Sequence, residues 1–315
     1  MSKPELQTSM RLVRSVLAVP GHRYKMVQSA AASAADGVFI DLEDAVPPSE
    51  KAEALEGAVK ALNELDWGRK VVTVRVNSFD GKLVEDEIKT LKGAARLDTI
   101  LIPKVECVDT LRQAEDLIEN EASGCKDLWL EALIETAGGL ANVETIAAAR
   151  GRLVGLHFGV GDFSASIGAR NVEVGGTHAG YAVTRRDDVG NYVSVTQDLW
   201  SYPMMRILVA ARANGLRAVD GPFGGFRDLV LTRSMALKAA AMGFDGKQVI
   251  HPAQIEVTRA AFTPTTEEVS QARAMVSAME EAEAQGLAAV SVNGKMVDYA
   301  NLRMARRILL MAETK

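Results

Sequence analysis

Apolar residues in this chain gather in short unbroken runs bounded by turn residues: SVLAVP, GVFIDL, KVVTVRV, DTILIPK, DLWLEALIE, LVGLHFGVGD, LRAVDGP and KQVIHP. Continuous apolar runs of about four to eight residues mark strands buried on both faces. A second period fills the gaps between them. EKAEALEGAVKALNELD and VDTLRQAEDLIENEA place apolar residues three and four apart. LVLTRSMALKAAAMG does the same and ends at Gly243, the residue type that closes helices. Eight strands alternating with helices predict a parallel sheet, most economically a closed (β/α)8 barrel. An open doubly wound sheet is the second reading, weakened because no G-x-G-x-x-G turn follows the first strand.

The tail has another character. TPTTEEVSQARAMVSAMEEAEAQG carries an N-cap signal at Thr265 or Thr266 and then a long amphipathic pattern. VSVNGKMV reads as a hairpin turning at Asn293-Gly294, followed by a last helix. The expected organisation is a (β/α)8 TIM barrel over residues 1–262 and a C-terminal helical and hairpin lid extension over 263–315. The extension could lie beneath the barrel, over its mouth, or between subunits.

Parallel barrels carry their chemistry at the C-terminal ends of the strands. In this chain those ends read Pro20-Gly21, Asp41 to Asp44, Arg75, Lys104, Glu135, Asp162, Asp220 and His251. Charged and polar groups thus cluster where apolar strands stop. Glu135 and Asp162 are the best metal pair, since magnesium takes oxygen ligands and keeps several waters. The alternative is that each caps the helix that follows. Glu43 and Asp44 join Asp41 after the second strand, where several carboxylates together need a cation. Helix capping ahead of Pro48 is the competing explanation there. Arg75 is a lone cation in an apolar strand; its planar fork suits a carboxylate, either of a substrate or of Asp41, Glu43 or Asp44. His251 follows the last strand, a place where a histidine is more often structural than catalytic.

Composition narrows the function without fixing it. The formal net charge of −5 gives no reason to expect a nucleic-acid partner. No apolar stretch is long enough to cross a membrane, and MSKPELQTSMRLVRS has no signal-peptide core. Cys107 and Cys125 form neither a disulfide framework nor a zinc pattern, as in a cytoplasmic protein with reduced thiols.

Several motifs occur together and in order: VPGHR, DLEDAVPPSEK, VRVN, IPKVE, LIETAGGL, GVGDFSASIG, VDGPFG and IHPAQI. With them the chain resembles the HpcH/HpaI aldolase and citrate lyase β-subunit-like family from about Arg14 to the C-terminus. GGTHAGY, QDLWSY and the NGKMVD tail resemble its malyl-CoA and β-methylmalyl-CoA lyase branch. The resemblance implies a (β/α)8 barrel that cleaves 3-hydroxyacyl-CoA thioesters reversibly, with magnesium, or manganese in its place. Its partners would be an acyl-CoA and a 2-oxo acid, in a homotrimer or homohexamer. By motif, Glu135 and Asp162 would hold the metal, and Glu43 and Asp44 its waters. Arg75 would grip the 2-oxo acid, and Arg23 would bind CoA with His251 and Pro252 nearby. Asp298 of the lid would act as acid/base in a neighbouring subunit's site. Many relatives carry a lysine six places after the arginine matching Arg23; here Ser29 stands there, and Lys25 is the nearest cation. A citramalyl-CoA lyase, a malyl-CoA thioesterase and a citrate lyase β subunit are the competing activities.

Overall fold

The computed structural model describes residues 11–119, 128–149, 151–170 and 173–313. Cys125 and the first ten residues lie outside them. The chain divides into two compact units, one ending at Arg259 and the other beginning at Ala260.

Each apolar run supplies one strand of the first unit. They are β1 (Ser15–Pro20), β2 (Gly37–Asp41), β3 (Val71–Arg75), β4 (Thr99–Ile102), β5 (Trp129–Ile134), β6 (Leu153–Phe158), β7 (Arg217–Asp220) and β8 (Gly246–Val249). They pair in parallel in chain order, and β8 returns to β1 to close the barrel. Both faces are buried because helices such as Lys51–Glu64, Val108–Glu119, Ser201–Ala213 and Leu229–Met242 cover the outside. Gly243 ends the last of these at φ 110°, a left-handed cap that glycine adopts without a Cβ clash. A side chain at Gly246 would collide with the carbonyl oxygen of Val13, so a glycine is needed where β8 meets the chain entering β1.

Beneath the mouth the interior is not wholly apolar. Thr73 and Thr99 share a hydrogen bond of 2.6 Å, and Thr99 donates to Glu131 at 3.1 Å. Glu131 meets Arg217 at 3.2 Å and His157 at 3.3 Å, and His157 contacts Gln248 at 3.0 Å. These side chains form a buried polar girdle across six adjacent strands, β3 to β8. Beside them, Val13, Val16, Phe39, Val71 and Val219 pack as an apolar cluster.

Two features depart from the sequence reading. Asp220 ends its strand but faces the helix layer, paired at 2.6 Å with buried Lys247. It lines a small cavity there with Trp200, Met204 and Met235. Alternation explains this: Arg217 points inward to Glu131, so Asp220, three residues on, points out. In addition, an exposed antiparallel hairpin, Ala182–Arg186 with Tyr192–Thr196, is inserted between β6 and β7. Its valines alternate with polar residues instead of forming a continuous run.

The second unit holds the helix Thr266–Ala284, the hairpin strands Ala289–Val292 and Lys295–Asp298, and the helix Tyr299–Glu313. Thr265 caps the first helix in a reciprocal box with Glu268. Asn293 and Gly294 both have positive φ, 51° and 75°, as a tight two-residue hairpin turn requires. Met279, Val297 and Leu302 form this unit's core.

Candidate active site

Five neighbouring strands, β2 to β6, deliver the charged groups to one sector of the barrel rim. The register sets Asp41 directly opposite Arg75, so alternation sends both to the interior. Arg75 Nε donates to Asp41 Oδ1 at 2.7 Å and Nη2 to Oδ2 at 2.6 Å, a side-on fork. Arg75 Nη1 lies 3.2 Å from Glu43 Oε2, without hydrogen-bond geometry. The side-on edge of the guanidinium is thus taken by Asp41, and its terminal Nη1/Nη2 edge keeps N–H groups for another oxygen anion. Both readings of Arg75, structural partner and anion clamp, fit this arrangement.

Lys104 follows β4. Its Nζ donates to Glu43 Oε1 at 2.6 Å and Asp44 Oδ2 at 3.1 Å, while its backbone N–H donates to Glu135 Oε1 at 2.9 Å. Glu135 follows β5 and is 1 % exposed. A Cβ on Gly159 would fall on the Glu135 side chain, so that glycine clears the space it occupies. Asp162 lies in the first turn of the helix Val160–Ser166, which begins where β6 ends. The strand-end reading placed it on the right loop, but one helical turn beyond the strand.

Electrostatics link these groups. Burial drives the Glu135 carboxyl well above its ordinary range; Arg75 opposes this, and Glu43 and Asp162 add to it. Burial also raises Glu43, against the pull of Arg75 and Lys104. Asp41 goes the other way, because the Arg75 hydrogen bonds and charge outweigh its burial. The Lys104 ammonium is raised, since Glu43 and Asp44 outweigh its burial. Five carboxyl groups, Asp41, Glu43, Asp44, Glu135 and Asp162, gather around the cations Arg75 and Lys104, so the cluster is short of positive charge and Glu135 is pushed toward its neutral form.

That shortage, with a Glu43 Oε2 that accepts no hydrogen bond, fits a hard divalent cation. Glu135 and Asp162 would hold it. Among the described residues no three carboxylate, imidazole or thiol groups form a ready cage. Magnesium bound through two carboxylates plus water and substrate oxygens does not need one.

The remaining expected residues belong to other elements. Arg23 and Lys25 follow β1, and His251 and Pro252 follow β8, so both pairs stand on adjoining strands. All four are exposed. Arg23 Nε contacts His22 Nε2 at 3.1 Å, and His251 stacks on Phe226 with ring centroids 4.6 Å apart. Ser29 donates its hydroxyl to the Lys25 carbonyl, one turn back on the same helix. Asp298 belongs to the second unit, where its Oδ1 accepts from the N–H groups of Ala300 and Asn301 at the start of the last helix.

The sequence reading gave three groups no role. Lys104 appeared as a strand end without a task. Lys51 ties the loop after β2 down, donating to the carbonyls of Leu42 and Glu43 and to Asn77 Oδ1. Glu131 anchors the girdle; as a lone acid within an apolar strand it was open to the argument applied to Arg75.

Residues 14–252 match the family described as HpcH/HpaI aldolase/citrate lyase. An L-malyl-CoA/β-methylmalyl-CoA lyase of Rhodobacter capsulatus is 38 % identical over 308 residues, covering 96 % of this chain and 95 % of its own. A (3S)-malyl-CoA thioesterase of Cereibacter sphaeroides is 35 % identical, covering 95 % and 94 %. The crystal structure of protein CitE from Mycobacterium tuberculosis, in complex with magnesium, acetoacetate and coenzyme A, superposes with a TM-score of 0.74. It shares 29 % identity and covers 97 % of this chain and 99 % of its own. Among the described residues no helix is long and apolar enough to cross a membrane.

Proposed function

The chain belongs to the HpcH/HpaI aldolase/citrate lyase family, and from that premise we propose that it is a magnesium-dependent carbon–carbon lyase of CoA thioesters. The reaction would be reversible cleavage of L-malyl-CoA to acetyl-CoA and glyoxylate, with β-methylmalyl-CoA giving propionyl-CoA and glyoxylate. The observation that carries this reading is the acidic cluster of Glu43, Asp44, Glu135 and Asp162 around Arg75 and Lys104 at the barrel mouth.

In cleavage the 3-hydroxyl loses its proton and becomes the aldehyde of glyoxylate. The C–C bond breaks, and its electron pair enters the thioester as an enolate, which takes a proton at carbon to become acetyl-CoA. Magnesium, held by Glu135 and Asp162, would supply Lewis-acid polarisation of the oxygens of the 2-oxo acid. The free Nη1/Nη2 edge of Arg75 would meet developing oxyanion charge, with Asp41 fixing the guanidinium plane. Asp298 would exchange the proton at the acetyl carbon. The exposed Arg23, Lys25, His251 and Pro252 would receive CoA across the β1 and β8 loops.

A malyl-CoA thioesterase is the second reading, favoured by the 35 % identical relative of that name. Product analysis separates the two. With purified protein, magnesium and malyl-CoA, lyase action gives glyoxylate and acetyl-CoA without free CoA; hydrolysis gives malate and free CoA. Citramalyl-CoA in a parallel tube tests the pyruvate-releasing alternative, which a pocket rejects by only about 1–3 kcal/mol per methyl group. Absence of both 2-oxo acid and free CoA from every tube would overturn the proposal.

A further inference from the structure

Among the described residues, Lys104 and Asn293 are the non-glycine residues with positive φ. Asn293 is explained by its hairpin turn, where asparagine tolerates the left-handed region. No hairpin turn accounts for Lys104, at φ 52°. For a long side chain this conformation costs about 1 kcal/mol or more, and such residues concentrate where the site requires them. What it permits is visible. One residue reaches Glu135 with its backbone N–H and, with its ammonium, Glu43 and Asp44.

We propose that Lys104 is a positioning residue that fixes Glu43, Asp44 and Glu135 in the arrangement that accepts a divalent cation. This rests on the metal reading of the site given above. Glu43 is the hinge of the device: Lys104 lies on one of its carboxylate oxygens and Arg75 near the other. Glu43 is 4 % exposed, so without the ammonium its Oε1 would be a buried acceptor with no partner. Removing a positive charge from an acidic site should by itself attract a cation more strongly. On this proposal the disorder of a buried Glu43 left without its donor outweighs that gain. The two effects have opposite signs, which makes the inference testable.

Magnesium is titrated calorimetrically into the full chain without substrate. Lys104→Met should weaken magnesium binding by about tenfold, and Lys104→Arg should hold it within about threefold of wild type. In a Glu43→Gln background, Lys104→Met should add less than about a twofold further loss, because the effect passes through Glu43. If Lys104→Met does not fold, Lys104→Gly serves instead. Glycine adopts this φ freely, keeps the N–H on Glu135 and lacks the ammonium. Unchanged or tighter magnesium binding in the Met or Gly variant overturns the proposal, as does full additivity with Glu43→Gln. A wild-type chain that takes up no magnesium sinks both this and the metal reading. Uptake that Asp162→Ala abolishes and Lys104→Met leaves intact sinks this one alone.

Discussion

Glu131 and Glu135 are four residues apart on one inward face, both almost fully buried, and their carboxyls move in opposite directions. Burial pushes each upward. Glu131 has Arg217, His157 and Thr99 around it and is pulled down to about 2. Glu135 has Arg75 against Glu43 and Asp162, and rises. The first is a satisfied structural acid and the second an unsatisfied one, the state expected where a cation is to bind. A carboxylate depressed from 4.5 to about 2 contributes stability fully present above pH 4.5 and lost as the pH falls through 2, roughly 3 kcal/mol in all. Denaturant unfolding between pH 6 and pH 2.5 checks this. Glu131→Gln should lower stability near neutrality by about 3 kcal/mol, because Arg217 loses its buried counter-charge, and should flatten the acid limb. An acid limb as steep as that of the wild type would remove Glu131 as its source. Arg75 makes a second prediction at this scale. Lysine cannot bridge both Asp41 oxygens and still present an edge to substrate. Arg75→Lys should cost about 10²-fold in turnover and weaken binding of oxalate, a glyoxylate mimic. Unchanged oxalate affinity would leave Arg75 as the structural partner of Asp41 alone.

At the scale of elements, much was legible because a strand covered on both faces leaves an unbroken apolar run, and all eight runs became strands. The ends of those runs located Arg75, Lys104 and Glu135 for the same reason: charge is excluded from the covered stretch and tolerated at the rim. Strand ends do not reveal which face a residue joins. Asp220 looked equivalent to Glu135 and points the other way, because its direction depends on alternation counted from Arg217. The fork between Asp41 and Arg75 was open in the sequence; the β2–β3 register settles it. The left-handed turn at Lys104 left no trace in residue type, since lysine is not a residue that turn prediction expects at positive φ. Gly159 shows how an element supports the site from behind. Its φ is ordinary, so the demand is for space: a Cβ would fall on Glu135. Gly159→Ala should cost about 1–3 kcal/mol in stability and weaken magnesium binding by about tenfold or more, read by thermal unfolding and calorimetry. A variant that folds and binds magnesium like wild type would mean that Glu135 has room to move aside, or is not a ligand.

For the molecule as a whole, the prediction concerns Asp298 of the second unit. Within its own unit Asp298 already has a task. It accepts from Ala300 and Asn301 N–H at 2.8 and 3.2 Å, while Asn301 Oδ1 accepts the Asp298 N–H at 3.0 Å. A capping role alone contributes about 1 kcal/mol and leaves the rate untouched. On the reading proposed above, Asp298 would also act as acid/base in an adjacent subunit's site. Asp298→Asn separates these, because asparagine caps as well as aspartate and cannot exchange the proton. If Asp298 is the acid/base, the variant should unfold at the wild-type temperature and turn over about 10²–10⁴-fold more slowly. Wild-type turnover would confine Asp298 to the cap. Subunit exchange then tests whose site it serves. Asp298→Asn and Asp162→Ala chains are each inactive on this reading, one lacking the acid/base and the other a metal ligand. Mixed after mild dissociation, a shared arrangement places intact Asp298 from one chain beside intact Asp162 of another, and activity returns in a fraction of the sites. Sedimentation of the mixture should show a trimer or hexamer, the assemblies that would let one chain's tail reach the next chain's barrel. A monomer in sedimentation, or no recovery on mixing, would confine Asp298 to its own chain and leave both chemistry and metal binding to be completed there.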